Sequence, residues 1–535
     1  MRSLIKFSLA NLVLLFTACL VSCSEEKVVP LSEHQVIPRP EIVQDIPGSF
    51  RLDKETVLVI DSGLKELETY LVEEIDKQTG ITLVTVKEAD KNFIRLSFAE
   101  DDSLGEEGYR MEIKEKGIDL KATTAQGLFY AIQTLKQLLP IDEQSSKYLL
   151  ASGKIEDRPS YAYRGMMLDV ARHFFGVEDV KHLIDQISTY KINHLHLHLS
   201  DDQGWRIEIK SWPLLTTVGA ANQVGGGKGG FYTQEDYKEI VRYAQSRYIT
   251  IVPEIDMPGH TNAVLNAYGI FNPGIKVPEK TALAVDRKAL GLEEDPKATP
   301  YHTGIEVGFS TLDINNPLTY QFVDDVIREI SDLTPGPYFH IGGDESHVTA
   351  MKDYIPFIEK AQALVTKYGK KTLGWDEIAH AQLLPGSVAQ YWAKASNAVL
   401  AIEQGAQVLI SPAVKAYLDM QYDSTTHIGL HWAAYVELDE AYNWDPTTLD
   451  DRIKKDNILG VEAPLWTETV VTREDLEFLT FPRLAAIAEI AWTDPKNRSW
   501  EDFSRRILRH EQIWEKQGIN FYRSPKINRI GAGNE

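Results

Sequence analysis

Hydrophobic positions along the chain change their rhythm near residue 158. From about Gln35 to Ile155, short β-type runs such as Val57-Leu58-Val59-Ile60 and Phe93-Ile94-Arg95-Leu96-Ser97-Phe98 sit among amphipathic stretches such as 124–139. Period-two alternation marks strands and a 3.6-residue repeat marks helices, so residues 41–157 are predicted to form a small α+β domain. Pro159 marks its end, because the residue before a proline is biased away from helical backbone. Beyond it an apolar run, a polar and aromatic loop and a helical stretch recur. Eight candidate strands fall at 163–170, 194–200, 248–256, 337–345, 372–377, 387–392, 407–413 and 458–466. Helical patterns at 177–191, 233–248 and 319–333 lie between them, and one near Arg473 to Trp492 closes the series. The order predicts an α/β fold, a (β/α)8 TIM barrel over 158–500 preceded by the small α+β domain. Residues 501–535 are too few for another domain and are expected to pack on the barrel.

The first residues change the picture of where the protein works. Arg2 and Lys6 precede an apolar run ending at Val21, and small Ser22 precedes Cys23, as in an export signal. Leu20-Val21-Ser22-Cys23 resembles the bacterial lipobox, in which the cysteine becomes the lipidated N-terminus. Residues 1–23 are therefore expected to be a lipoprotein signal with lipidation at Cys23, and 24–40 a tether to the bacterial envelope. The only cysteines are Cys19 and Cys23, which excludes disulfides, thiolate metal sites and thiol catalysis from the mature domains. A net charge of −22 over 535 residues, with no dense basic run, argues against nucleic acid as a partner.

Barrel chemistry gathers at the carboxyl ends of strands. There this sequence places Asp169 and Arg172, then Asp201 and Asp202, then Glu254, Asp256 and His260, then Asp344 and Glu345. Later ends add Trp375, Glu377, Trp392, Tyr417, Asp419, Trp466 and Glu468. Carboxylates exchange protons with a glycosidic oxygen and indole faces cover the apolar side of a sugar ring, so the set points to a carbohydrate. His194, His196 and His198 alternate on one strand, as a metal site might require. The first two lie before the strand end and later ends offer no matching histidines, so hydrogen-bonded core residues are the better account and no metal is expected. Gly225 to Gly230 lacks the spacing of a phosphate loop and is read as a flexible βα loop.

His340-Ile341-Gly342-Gly343-Asp344-Glu345 resembles the signature of glycoside hydrolase family 20, the β-N-acetylhexosaminidases. The likeness extends through Tyr163-Arg164-Gly165, Asp169-Val170-Ala171-Arg172-His173, His198 to Trp205, Pro253 to His260, Gly374-Trp375-Asp376-Glu377, Tyr391-Trp392, Tyr417-Leu418-Asp419 and Leu465-Trp466-Thr467-Glu468. It covers roughly Arg158 to Trp492, and the preceding domain is similar to the family's small companion domain.

The resemblance implies an exo-acting, retaining enzyme that removes terminal β-linked GlcNAc or GalNAc, with the substrate's 2-acetamido oxygen as nucleophile and no cofactor. Glu345 carries over as acid and base, and Asp344 as the group that holds the acetamide N–H. Trp375, Trp392 and Trp466 carry over to the acetamide pocket, and Tyr417 to its hydroxyl donor. Arg164 is implied as the clamp on the 3- and 4-hydroxyls, with Asp419 and Glu468 as acceptors for the outer hydroxyls and Asp201 and His260 in support of the acid pair.

Two physical expectations accompany this reading. Neighbours on a strand face opposite sides, so Asp344 and Glu345 are badly placed as an acid–nucleophile pair on one carbon. A charged Asp344 is also expected to raise the pKa of Glu345. The same fold acting on a sulfated sugar or a disaccharide unit, and a non-catalytic glycan-binding lipoprotein, are the alternatives; the intact acid pair argues against the last. The charged stretch 280–297, inside the loop 268–306, is either a shaper of the leaving-group side or an inert insertion.

Overall fold

The computed structural model describes residues 28–141 and 148–529; the expected export signal and Cys23 lie outside the described residues. The barrel strands are β1 (Tyr163–Asp169), β2 (His194–His198), β3 (Thr250–Glu254), β4 (Tyr338–His340), β5 (Lys371–Trp375), β6 (Val388–Tyr391), β7 (Gln407–Ile410) and β8 (Ile458–Leu465). Each pairs in parallel with its neighbours, and β8 closes on β1. All eight predicted strands form, each ending earlier than its hydrophobic run. The largest difference is β4, which stops at His340 because Gly342 and Gly343 take φ of +66° and +102°, backbone that a strand cannot continue.

Helices cover the outside, so β1 is buried along its whole length and Met166, Leu168, Leu195 and Leu197 share one core with helix residues such as Ile184 and Ile187. The helix Gln234–Gln245 starts where the sequence places it, because Thr233 accepts from Asp236 N and the Asp236 side chain bonds back to Thr233 N. The inside of the barrel is polar at mid-height. His196 Nδ1 lies 2.9 Å from Glu462 Oε1, and His198 Nδ1 lies 2.6 Å from Glu254 Oε2. Gln390 and Tyr163 donate to Glu462 at 2.8 and 2.6 Å. The alternating histidines thus all have hydrogen-bond partners; His194 Nδ1 lies 2.6 Å from Asn193 Oδ1, and its ring stacks on Tyr163 at 3.8 Å near the barrel floor.

The first domain is a seven-stranded mixed sheet running Ile42–Leu52, Tyr148–Asp157, Tyr109–Lys114, Gly117–Ala122, Phe93–Phe98, Val57–Ile60 and Val84–Val86. Its core, which includes residues of the helices Lys65–Thr79 and Ala125–Leu138, takes in Trp492 from the barrel's last helix, Arg483–Trp492. Charged groups cross the same boundary. Lys191 Nζ lies 2.9 Å from Asp157, which also accepts from Trp492 Nε1 at 2.9 Å. Arg164 meets both oxygens of Glu107 at 2.8 and 2.9 Å.

Part of the expected tether is folded. Leu31, Val36 and Ile37 are buried, Gln137 Oε1 accepts from Ile37 N, and Val36 O accepts from Arg506. An apolar side chain every few residues was enough to dock a segment whose prolines and charges read as linker. Arg506 belongs to the terminal helix Trp500–Gln517, whose Phe503, Ile507 and Trp514 enter the barrel core, so the C-terminal extension packs as expected.

Removing one member of a buried ion pair leaves the other uncompensated, which typically destabilises a protein by about 3–5 kcal/mol. Arg164→Met is expected to lower the urea midpoint accordingly, read by tryptophan fluorescence. An unchanged midpoint would show that the Arg164–Glu107 contact does not hold the domains together.

Candidate active site

The end of β1 builds one wall. Asp169 accepts hydrogen bonds from Ala171 N (2.7 Å), Arg172 N (3.1 Å) and, from the end of β8, Thr467 N (3.0 Å). This turn carries Arg172 over the barrel mouth, 2.7 Å from Asp201, 3.4 Å from Asp169 and 4.7 Å above the Trp466 ring. Arg164 is not here. It is the second residue of β1, at the opposite end of the strand from the chemistry, and its guanidinium is spent on Glu107. The clamp expected of Arg164 is therefore corrected: Arg172 is the arginine that lines the cavity.

His260 is the hub beside the acid pair. Its Nδ1 lies 3.2 Å from Asp201 Oδ1, and its Nε2 lies 3.6 Å from both Asp344 Oδ2 and Glu345 Oε2. Asp201 Oδ2 lies 3.0 Å from His198 Nε2, which links the site to Glu254 and the barrel interior. His260 and Glu345 both hold left-handed backbone, φ +53° and +43°, that non-glycine residues rarely adopt. Such strain persists where the surroundings over-determine it, and here it turns both side chains toward the same point.

The strand-alternation argument therefore does not apply to Asp344 and Glu345. They follow β4 on a turn, and both carboxyls face one imidazole. The turn requires glycine, since a Cβ at Gly342 would stand 1.8 Å from Asp256 Oδ1.

Electrostatics reverse the expected order of the pair. Burial and the neighbouring Asp256 raise Asp344 well above the usual carboxylate range. Burial would raise Glu345 too, but its polar contact with His260 and the charges of His260 and Arg172 lower it. The Asp344 charge does not push Glu345 up in the ligand-free protein, because the cationic side of the site outweighs it. Burial opposes a charge on His260, yet Asp201 and Asp344 lift it well above the ordinary imidazole value. Burial likewise would raise Asp201, and Arg172 followed by His260 overcome it and keep Asp201 ionised.

A cavity of about 500 Å³ opens over this assembly. Asp344, Glu345, Trp392, Tyr417, Trp466 and Glu468 line it, with Arg172 among them. Trp375, Asp419, Asp201 and His260 are almost fully buried and do not reach the lining. Trp375 packs 5.6 Å from Trp466 and donates its Nε1–H to Glu254, and Trp392 donates to Glu377, whose carboxyl is pushed up to about 8 by burial and by Asp376. Burial and Glu468 also raise Asp419 well above its usual range.

Sequence reasoning did not single out the outer rim. Ile305, Val307, Leu430, His431 and exposed Trp432 complete the lining. Ile305 lies at the far end of the loop 268–306, which is folded rather than loose: Ala282–Leu283 pairs with Tyr301–His302, and Gly225 N donates to Thr303 O. Trp432 lies in a loop with no strand pattern, and only its aromatic type hinted at a role. A larger groove, about 790 Å³, lies under the barrel beside Glu107, Arg158 and His194, but it holds no carboxyl pair bridged by an imidazole.

Known proteins fit this geometry. The profile "Glycosyl hydrolase family 20, domain 2" matches residues 33–158, and "Glycosyl hydrolase family 20, catalytic domain" matches 161–354 and 346–495. A β-N-acetylhexosaminidase of Cellulomonas fimi is 40% identical, over 93% of this chain and 98% of its own. A β-hexosaminidase of Porphyromonas gingivalis is 33% identical, over 95% of this chain and 68% of its own. Among solved structures, Streptomyces plicatus N-acetyl-β-hexosaminidase in complex with Thio-NAglucal is 43% identical with a TM-score of 0.86, covering 94% of this chain and 99% of that one. A mutant of the S. plicatus enzyme in complex with product (GlcNAc) is 42% identical, with the same TM-score and coverage. With both of its domains matched, and a barrel mouth built on adjacent acidic residues, the chain belongs to glycosyl hydrolase family 20.

Proposed function

We propose that the protein is an exo-acting β-N-acetylhexosaminidase that removes terminal GlcNAc or GalNAc, with the substrate's own acetamide as nucleophile. The observation that carries the reading is the single cavity in which Glu345 and a buried Asp344 meet a wall of Trp392, Trp466 and Tyr417, backed by Trp375. An acetamide methyl needs a dry apolar pocket if its carbonyl oxygen is to be held beneath the anomeric carbon.

Glu345 delivers a proton to the leaving oxygen as the acetamide oxygen bonds to C1 and the C1–O bond breaks. In the second step it takes a proton from the water that opens the cyclic ion, giving net retention. Asp344 accepts the acetamide N–H and stabilises the charge that grows on it. Glu345 begins with a lowered proton affinity and is ready as the base; enclosure by a bound sugar removes water and favours the neutral acid needed first.

Arg172, Asp419 and Glu468 are assigned to the hydroxyls at the inner end, Tyr417 to the acetamide oxygen, and Asp201 and His260 to the support of the pair. Asp419, buried and accepting from Trp466 N at 3.5 Å, favours one terminal sugar over a disaccharide unit. Ile305, Val307 and Trp432 bound the outer mouth on the leaving-group side. The lipobox-like Cys23 supports a place on the bacterial envelope: Cys23→Ala is expected to move the protein out of the detergent-extracted membrane fraction, and a partition unchanged by the substitution would remove the anchor.

Release of 4-nitrophenol from matched β-glycosides tests the activity. Rapid release is expected from N-acetylglucosamine or N-acetylgalactosamine and almost none from glucose, and comparable cleavage of the glucoside would rule out attack by the acetamide. Acid–base assistance is worth about 10²–10⁴-fold, and most where the leaving group is poor. Glu345→Gln is therefore expected to lose that factor on a sugar leaving group and much less on 4-nitrophenol, whereas Asp344→Asn loses activity on both. Equal losses across leaving groups in both variants would contradict this division of roles.

A further inference from the structure

Asp256 has no part in the steps above, yet its carboxyl is an acidic neighbour of the acetamide-holding group. It sits two residues past β3, buried, with Oδ1 accepting from Gly343 N at 3.0 Å on the turn that presents Asp344. The Asp256 and Asp344 side chains lie within hydrogen-bonding reach of each other. Each nevertheless has one buried oxygen, Asp256 Oδ2 and Asp344 Oδ1, without a partner among the described residues. Two facing carboxylates would leave buried acceptors unsatisfied and two like charges in contact, a poor arrangement in a low-dielectric site. One proton held between them removes both defects.

We propose that Asp256 is a positioning residue that keeps this proton while Asp344 works as a carboxylate: Asp256 donates its O–H to Asp344 and thereby fixes the anion that receives the substrate's amide N–H. The inference rests on the function proposed above and adds a residue to it. In the ligand-free protein burial raises both carboxyls, Asp256 to about 7, so one proton is retained near neutrality. An incoming amide N–H is a donor that only an anionic Asp344 can accept from fully, which places the retained proton on Asp256. The proton passes from Asp344 to Asp256 as the amide docks: one O–H bond breaks, one forms, and no other covalent bond changes. When pH rises far enough to remove this last shared proton, Asp344 loses its donor and the site carries a second buried negative charge.

Other titrating groups face the pair from each side. Asp256 is met by Glu254 on β3, His260 after it, His198 and Asp201 at the end of β2, and Tyr354 on the helix after β4. Asp344 is met by His260, Glu345, Glu377 after β5 and Tyr417 after β7. Of these, Glu377, at about 8, could produce an alkaline limb in the same range.

The test is the pH profile of kcat/KM on the 4-nitrophenyl acetamido sugar for the wild type and for Asp256→Asn, Asp256→Ala and Glu377→Gln, each checked for fold by circular dichroism. Asparagine donates an N–H at every pH and alanine donates none. The wild type is expected to lose activity on an alkaline limb as the shared proton is removed. Asp256→Asn should move that limb upward by at least about one pH unit, a full factor of ten in proton affinity. Asp256→Ala should fall by about 10²–10³-fold, the usual loss for a preorganised donor. Glu377→Gln should leave the limb in place.

Affinity for the thiazoline analogue of the cyclised acetamido sugar, measured by calorimetry at pH 6 and 9, gives a second readout. It should weaken with pH in the wild type and hold steady in Asp256→Asn. An Asp256→Asn limb that coincides with that of the wild type, or a limb moved by Glu377→Gln instead, would overturn the assignment. Failure of the wild type to cleave any acetamido sugar would overturn the function beneath it.

Discussion

The ion pair of Arg172 with Asp201 is the contact on which the rest of the site depends. Two side chains from different strand ends are taken out of water together at 2.7 Å, and their attraction offsets a desolvation that neither could sustain alone. Asp201 then has one oxygen engaged with Arg172 and His198 and the other aimed at His260, whose remaining nitrogen faces both members of the acid pair. Arg172 also lies over Trp466, so the same guanidinium orders the aromatic wall. Charge placement and pocket shape follow from one anchored side chain.

The interior of the barrel extends this order downward. A TIM barrel filled only with branched apolar residues would hold its strands together but would give the mouth nothing to bond to. Here His198 and Glu254 continue the line from Asp201, and Glu254 also accepts from Trp375, so the floor beneath the cavity and the support of the acid pair share one buried carboxylate. The N-terminal domain contributes at the other end, where Arg164, Lys191 and Trp492 bind into it. Its contacts brace the barrel floor, at the end of the strands away from the cavity.

Arg164 and Arg172 show where motif likeness and geometry part. Both stand in matched motifs eight residues apart on either side of one strand. Residues at the amino end of a barrel strand point toward stability and those beyond the carboxyl end toward chemistry. Applied to β1, that rule selects Arg172 without any knowledge of the fold's partners. The folded stretch 31–40 carries a similar lesson: prolines and charges mark a segment as irregular, but the burial of Leu31, Val36, Ile37, Pro38 and Pro40 decides that it docks.

By itself the sequence determined the class of fold, the eight strands, the helices that cover them, the acid pair and its aromatic company, because each rests on local periodicity or on residue types in short motifs. What the tertiary structure decided is every property that depends on distance between strand ends. It set which arginine faces the cavity and placed Trp432 and Ile305 in its lining. It also put Asp344 and Asp256 where burial raises both, and Glu345 where His260 and Arg172 lower it. The reason is that electrostatic and packing energies vary with separations of a few ångströms between residues far apart in the chain. Those separations are fixed only when the barrel closes.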